Sequence, residues 1–185
     1  MEIYLVRHTT PKVEKGICYG HTNLDITDSF AEELFELKKN LPTTNLKVYS
    51  SPLLRCFKLA QEINTTIILD SRLKEVNFGD WENNPWNNIP NEELNSWMEN
   101  FVTEKPPNGE SYVELQQRIL QFFLEITQQN SKVSKIVIVS HAGPIRALLS
   151  NIQKIDLKDS FDIKIEYGQV FKLYFRNKKF NLLLK

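Results

Sequence analysis

The chain has 185 residues, a length that suits one domain spanning 1–185 and lets it bury a core without disulfide staples. With 23 Lys plus Arg against 23 Asp plus Glu, its formal charge is +0, so it lacks the basic excess expected of a nucleic-acid binder. A small anionic ligand stays open, because a site needs only a few local cations. Cys18 and Cys56 make no disulfide framework at this size and are read as reduced thiols. No apolar run approaches the roughly 20 residues that span a bilayer, and no secretory leader pattern opens the chain, so the cytosol is the expected compartment.

In chain order, Ile3 to Val6 is a wholly apolar run that stops at Arg7-His8, the pattern of a strand buried on both faces. Ser29 to Lys39 is a helix, with Phe30, Leu34, Leu37 and Leu41 at spacings of three and four. Lys47 to Tyr49 and Thr66 to Leu69 are weaker strands. Between them, Leu53 to Ile63 follows Ser51-Pro52, with Ser51 expected as the N-cap and Pro52 in the first turn. The stretch 77–109 holds all three tryptophans and reads as a lid-like insertion, with one helix near Asn91 to Phe101 folded over the sheet. Ser111 to Gln129 is the longest helix, and Ser111 with Glu114 spells a capping box. Lys135 to Val139 is a second apolar strand, ending in Ser140-His141-Ala142-Gly143 before a helix over Pro144 to Ile152. Gln169 to Phe175 and Lys179 to Leu184 form a C-terminal hairpin. Strands that end in polar turns and pass into helices define an α/β arrangement with parallel strands covered by helices.

Both of the best strands end in a histidine, and open α/β sheets bind ligands outside the carboxyl ends of their strands. His8 and His141 can therefore face one crevice. Arg7 adjoins His8, and Ser140, Ala142 and Gly143 surround His141 at a helix N-terminus, where free N–H groups favour an anion. Arg55 lies one turn into the helix after Ser51-Pro52, near the same sheet edge, and two arginines can clamp phosphate oxygens. Neutral imidazole can accept a phosphoryl group, splitting one displacement into two. Positioning and charge stabilisation come from the arginines and the second histidine without a metal. Glu75 is the candidate proton donor for the leaving group, with Glu82 its rival.

Five segments, Arg7-His8, Ser51-Pro52-Leu53-x-Arg55, Leu73-x-Glu75-x-x-Phe78-Gly79-x-Trp81-Glu82, Gly109-Glu110-Ser111 and Ser140-His141-Ala142-Gly143, resemble the histidine phosphatase superfamily in its own order. That resemblance implies a three-layer α/β/α sandwich with a mostly parallel mixed sheet, as in phosphoglycerate mutases. It implies a phosphohistidine on His8, a phosphate pocket of Arg7, Arg55 and His141, and Glu75 as proton donor. The segment Cys18 to Leu24 is similar to a loop of the phosphoglycerate mutase-like branch, which adds Gly20, His21 and Thr22 as substrate contacts. The short length and the wording Asn77 to Glu82 look most like α-ribazole phosphatases of cobalamin assembly. Implied functions are therefore hydrolysis of a small phosphorylated metabolite, phosphoglycerate mutase chemistry, or a silent phosphate-binding module. Thr9 stands where the family usually has glycine, and Asn23 and Asn83 depart from a common aspartate and glycine. A side chain at Thr9 can narrow the pocket or offer a hydroxyl to phosphate.

Other readings are plainer. Cys18-x-x-His21 has zinc-like spacing but lacks partners for a four-ligand site, so no metal and no cofactor are expected. Ser111 is read as a cap rather than a substrate contact, and the tryptophans as packing. Oligomeric state is not legible, a dimer through the tryptophan-bearing insertion being one arrangement.

Overall fold

The computed structural model describes residues 1–129, 134–176 and 179–183. Six strands form one sheet: β1 (Glu2–Arg7), β2 (Leu46–Ser50), β3 (Ile67–Leu69), β4 (Lys135–Ser140), β5 (Val170–Arg176) and β6 (Lys179–Leu183), in the order β3-β2-β4-β1-β5-β6. The pairs from β3 to β1 are parallel, and β5 and β6 continue the sheet antiparallel. The predicted hairpin is present as β5 and β6, although Asn177, Lys178 and Leu184 lie outside the described residues.

Alternation of side chains along β1, β2 and β4 splits the core into two layers. Ile3, Leu5, Ile136 and Ile138 face α4 (Tyr112–Gln129) and α5 (Ala142–Gln153), whose Leu115, Ile119, Phe122, Ile145 and Leu148 fill that side. Tyr4, Val6, Val48, Val137 and Val139 face the other way. They meet Leu37 of α1 (Phe30–Lys38) and Cys56, Leu59 and Ala60 of α2 (Leu54–Ile63). Apolar residues on both faces explain why the strands read as continuous runs rather than alternating ones. The result is the three-layer α/β/α sandwich with a mixed sheet.

Two local expectations part company. The capping box is present: the Ser111 backbone N–H donates to Glu114 Oε2 at 2.8 Å, and the Glu114 N–H donates to Ser111 Oγ at 3.3 Å. Ser51 does not cap α2, which starts three residues later at Leu54 with no side-chain cap. Its hydroxyl instead lies 2.8 Å from the His141 ring, because β2 ends beside β4 and turns the serine inward.

The insertion carries α3 (Asn91–Asn100) and builds a small core of its own. Trp81 and Ile89 pack with Cys18, joined by Phe78, Trp86, Leu94 and Trp97. The tryptophans therefore brace the loop after β1 rather than cover the sheet, although Phe78 and Phe101 also touch the larger core.

Phe122 is fully buried and meets Tyr49 and Phe123 edge to face at centroid distances of 5.5 and 5.4 Å. Replacing Phe122 by Ala is expected to remove about 3–5 kcal/mol of stability, read from the shift of a urea unfolding midpoint.

Candidate active site

Three neighbouring parallel strands, β2, β4 and β1, end side by side. Their register pairs Arg7 with Ser140 and Ser50 with Val139, so Ser51, His141 and His8 leave the sheet at one level. The His8 N–H donates to Ser140 O at 3.0 Å and the Ser51 N–H to Val139 O at 2.9 Å, extending the ladder into the site. The His8 and His141 rings meet edge to face, with centroids 5.0 Å apart. Residues far apart in sequence thus converge as the strand ends predicted.

His8 is 2% exposed, and its partners fix its tautomer. Nδ1 lies 2.6 Å from the Thr9 carbonyl, which can only accept, so Nδ1 carries the hydrogen. Arg55 Nε donates to the opposite nitrogen, Nε2, at 3.3 Å, as an acceptor lone pair requires. Burial chiefly, and then the Arg55 and Arg7 charges, hold the His8 pKa well below its ordinary value despite the Thr9 bond. Burial, Arg55 and His8 do the same to His141. Both rings are neutral, and His8 presents an unprotonated nitrogen to the pocket.

Arg55 is fully buried. Its remaining nitrogens donate to carbonyls of the loop after β1: Nη1 to Thr22 O at 2.8 Å and Nη2 to Gly20 O at 2.7 Å. Arg7 Nη1 donates to Ile165 O at 2.7 Å, while its buried Nε has no partner. Among the described residues neither arginine forms an ion pair with a carboxylate. Two cations that lack an ion-paired carboxylate among the described residues, beside two imidazoles, suit an anion.

The Glu75 side chain reaches Gly143, two residues beyond His141. Its carboxylate accepts from the Val76 N–H at 3.0 Å and from the Gly143 N–H at 3.1 and 3.2 Å, at the start of α5. A Cβ at Gly143 would sit 2.1 Å from Glu75 Oε1 and would push that carboxylate aside. Arg118 of α4 pins the Glu75 segment by donating to the carbonyls of Arg72, Lys74 and Glu75. Glu82, its rival, accepts from the N–H groups of His21, Thr22 and Phe78 and from the Thr22 hydroxyl. Burial alone would raise its pKa, but the Thr22 hydroxyl and those N–H groups outweigh it and keep the carboxyl below its ordinary range. Four donors on Glu82, against two on Glu75, make Glu82 the poorer proton donor of the pair.

Thr9 is fully buried, and among the described residues its hydroxyl has no hydrogen-bond partner. Gly20 and Thr22 reach the site through their carbonyls on Arg55, and the Thr22 hydroxyl is turned to Glu82. His21 is held by Glu82 through its backbone, with its ring 4.0 Å from a Glu110 oxygen.

The contacts of four residues escaped the sequence reading. The Tyr167 ring lies on the Arg7 guanidinium at 3.7 Å and 5.6 Å from the His8 ring. Tyr19 stands over Arg55 at 5.5 Å, and the two tyrosine hydroxyls bond at 2.9 Å. Ser51 Oγ and Cys56 Sγ lie 2.8 and 3.3 Å from His141 Nε2. Ser51 was visible in its motif; Tyr167, in an unpatterned stretch before β5, had no comparable signal.

Fold and site together define an α/β protein with two histidines and two arginines gathered at the carboxyl ends of its parallel strands. The sequence profile of the histidine phosphatase superfamily, branch 1, matches residues 3–185, and the chain belongs to that family. It is 24% identical over 194 residues to phosphoserine phosphatase 1 of Hydrogenobacter thermophilus, covering 100% of this chain and 91% of that protein. It is 24% identical over 184 residues to the adenosylcobalamin/alpha-ribazole phosphatase of Salmonella typhimurium, covering 91% and 87%. The solved alpha-ribazole phosphatase of Shigella flexneri has the same fold, with a TM-score of 0.90 at 22% identity over 100% of this chain and 95% of that one.

The neutral histidines set a pH dependence. Their folded pKa values lie below the ~6.5 of an exposed histidine, so the unfolded chain takes up protons first as pH falls. Stability from this source is intact above about pH 6.5 and declines below it. Urea midpoints should fall between pH 7.5 and 5.5, and the double variant His8→Asn, His141→Asn should show a flatter dependence.

Proposed function

We propose that the chain hydrolyses a small phosphomonoester in two displacements through a phosphohistidine on His8. The observation that carries this is the His8 tautomer: Nδ1–H held by the Thr9 carbonyl, and Nε2 unprotonated and accepting a long bond from Arg55 Nε. In the first step the Nε2 lone pair attacks phosphorus and the ester P–O bond breaks. Glu75, entering as the carboxylic acid, gives its proton to the departing alkoxide. In the second, the Glu75 carboxylate takes a proton from water as the water oxygen attacks phosphorus. The P–N bond then breaks and inorganic phosphate leaves.

Arg7 and Arg55 hold the non-bridging oxygens, and His141 faces the same group from the edge of the pocket. This is electrostatic stabilisation by preset donors in a dry site. The partnerless Thr9 hydroxyl is assigned as a further donor to a phosphoryl oxygen. Gly20, His21 and Thr22 support binding by shaping the loop that holds Arg55. In this reading the side chains alone carry the chemistry, on a phosphorylated metabolite of the cytosol.

α-Ribazole 5′-phosphate of cobalamin assembly is the first substrate to try, supported by likeness to the Salmonella phosphatase. Phosphoserine follows from the Hydrogenobacter relative. A panel of these with 3-phosphoglycerate and sugar phosphates should show one ester preferred by at least about tenfold in kcat/KM, or about 1.4 kcal/mol in transition-state binding.

With an aryl phosphate, wild type should turn over and His8→Ala should not; activity that survives His8→Ala sinks the phosphohistidine route. Glu75→Gln should lower kcat for an alkyl ester by about 10²–10⁴-fold and spare an activated aryl ester. Gly143→Ala, which displaces the Glu75 carboxylate, should lower alkyl-ester kcat by about 10²-fold.

A further inference from the structure

Glu82 lies outside the phosphate pocket, yet it is joined to it by continuous hydrogen bonds. Among the described residues its carboxylate has no cationic partner within ion-pair distance, although it is half-buried. Instead Oε1 accepts from the His21 N–H at 2.7 Å and from the Phe78 N–H at 3.1 Å, and Oε2 accepts from the Thr22 N–H and hydroxyl. A carboxylate that gathers loop donors in place of a cation fixes that loop by charge-assisted bonds.

What the loop does with this fixation is explicit. The His21 N–H and the Gly20 carbonyl belong to one planar peptide group. Its hydrogen faces Glu82 Oε1 at 2.7 Å, and its oxygen accepts from Arg55 Nη2, also at 2.7 Å. One peptide thus bridges an anion and a buried cation, and bonds in such a chain polarise one another. The Thr22 carbonyl takes Arg55 Nη1 at 2.8 Å, so both ends of the guanidinium rest on residues that Glu82 holds. The third nitrogen, Nε, is left to face His8 Nε2 at 3.3 Å. Slack is absent on the far side as well: a Cβ at Gly20 would lie 1.7 Å from Val76 O, so the loop is seated on the backbone next to Glu75.

We propose that Glu82 is a positioning residue which aims the Arg55 guanidinium at the phosphoryl group through the Gly20–His21 peptide. This rests on the phosphate-pocket reading above. The charge of Glu82 does not touch substrate; it sets the direction and the donor strength of a cation that does. Replacing the carboxylate by an amide keeps the size of the side chain, removes the charge, and turns one acceptor into a donor facing N–H groups.

The test is a double-mutant cycle on the affinity for inorganic phosphate, measured by calorimetry, in wild type, Glu82→Gln, Arg55→Lys and the double variant. Glu82→Gln should weaken phosphate about tenfold when Arg55 is present and less than about twofold in the Arg55→Lys background. A purely structural role would give the same loss in both backgrounds, and that result, or no loss in either, overturns the proposal. Should Glu82→Gln fail to fold, Glu82→Asp, which keeps the charge on a shorter arm, enters the same cycle with the same criterion. Wild type that binds no phosphate overturns both this proposal and the function assigned above. Wild type that binds with an additive cycle overturns this one alone.

Discussion

Burial of the Arg55 guanidinium with no carboxylate partner among the described residues is the constraint around which the carboxyl edge of the sheet is organised. A guanidinium has five donors and cannot give up its charge, so each donor needs an acceptor in a site closed to solvent. Gly20, Thr22 and His8 supply the acceptors that the structure shows. For that to hold, the loop after β1 must fold back over the start of α2, and β1 must end level with β2. The loop in turn needs its own anchor, and Glu82 with the tryptophan-lined core provides it. What is left unneutralised is the positive charge itself, and a doubly charged phosphate is the natural complement.

The neutral histidines follow from the same enclosure. Burial beside two cations makes protonation of either ring unfavourable, so the proposed nucleophile presents an unprotonated nitrogen. Orientation comes from backbone, since the Thr9 carbonyl anchors one nitrogen and frees the other. The substitution of threonine for the family's usual glycine leaves this bond untouched, because it uses the carbonyl.

Much of this was legible in the residues, for reasons that can be named. β1 and β4 are buried on both faces and therefore spell uninterrupted apolar runs, and their polar ends mark the site. Ser111 and Glu114 form a cap because both partners lie within one turn. Ser51 was misread as a cap because the same local pattern serves two ends, and only the pairing of β2 with β4 decides that its hydroxyl meets His141. Tyr167 could not be seen at all: its place over Arg7 depends on how the segment before β5 runs along β1, a contact between opposite ends of the chain. Glu82 was weighed only as a rival acid, since a carboxylate's donors come from folded loops rather than from its neighbours in sequence.

The indoles of Trp81, Trp86 and Trp97 sit in one cluster, with ring centroids between 5.6 and 6.4 Å. They are all the tryptophans the chain has, and they pack on Cys18 at the base of the loop that grips Arg55. Indoles this close couple their electronic transitions, so the tryptophan part of the near-ultraviolet circular dichroism and of the emission originates beside that loop. The protein carries a native optical probe of its own arginine clamp, with no label needed and no second source of tryptophan signal elsewhere in the chain.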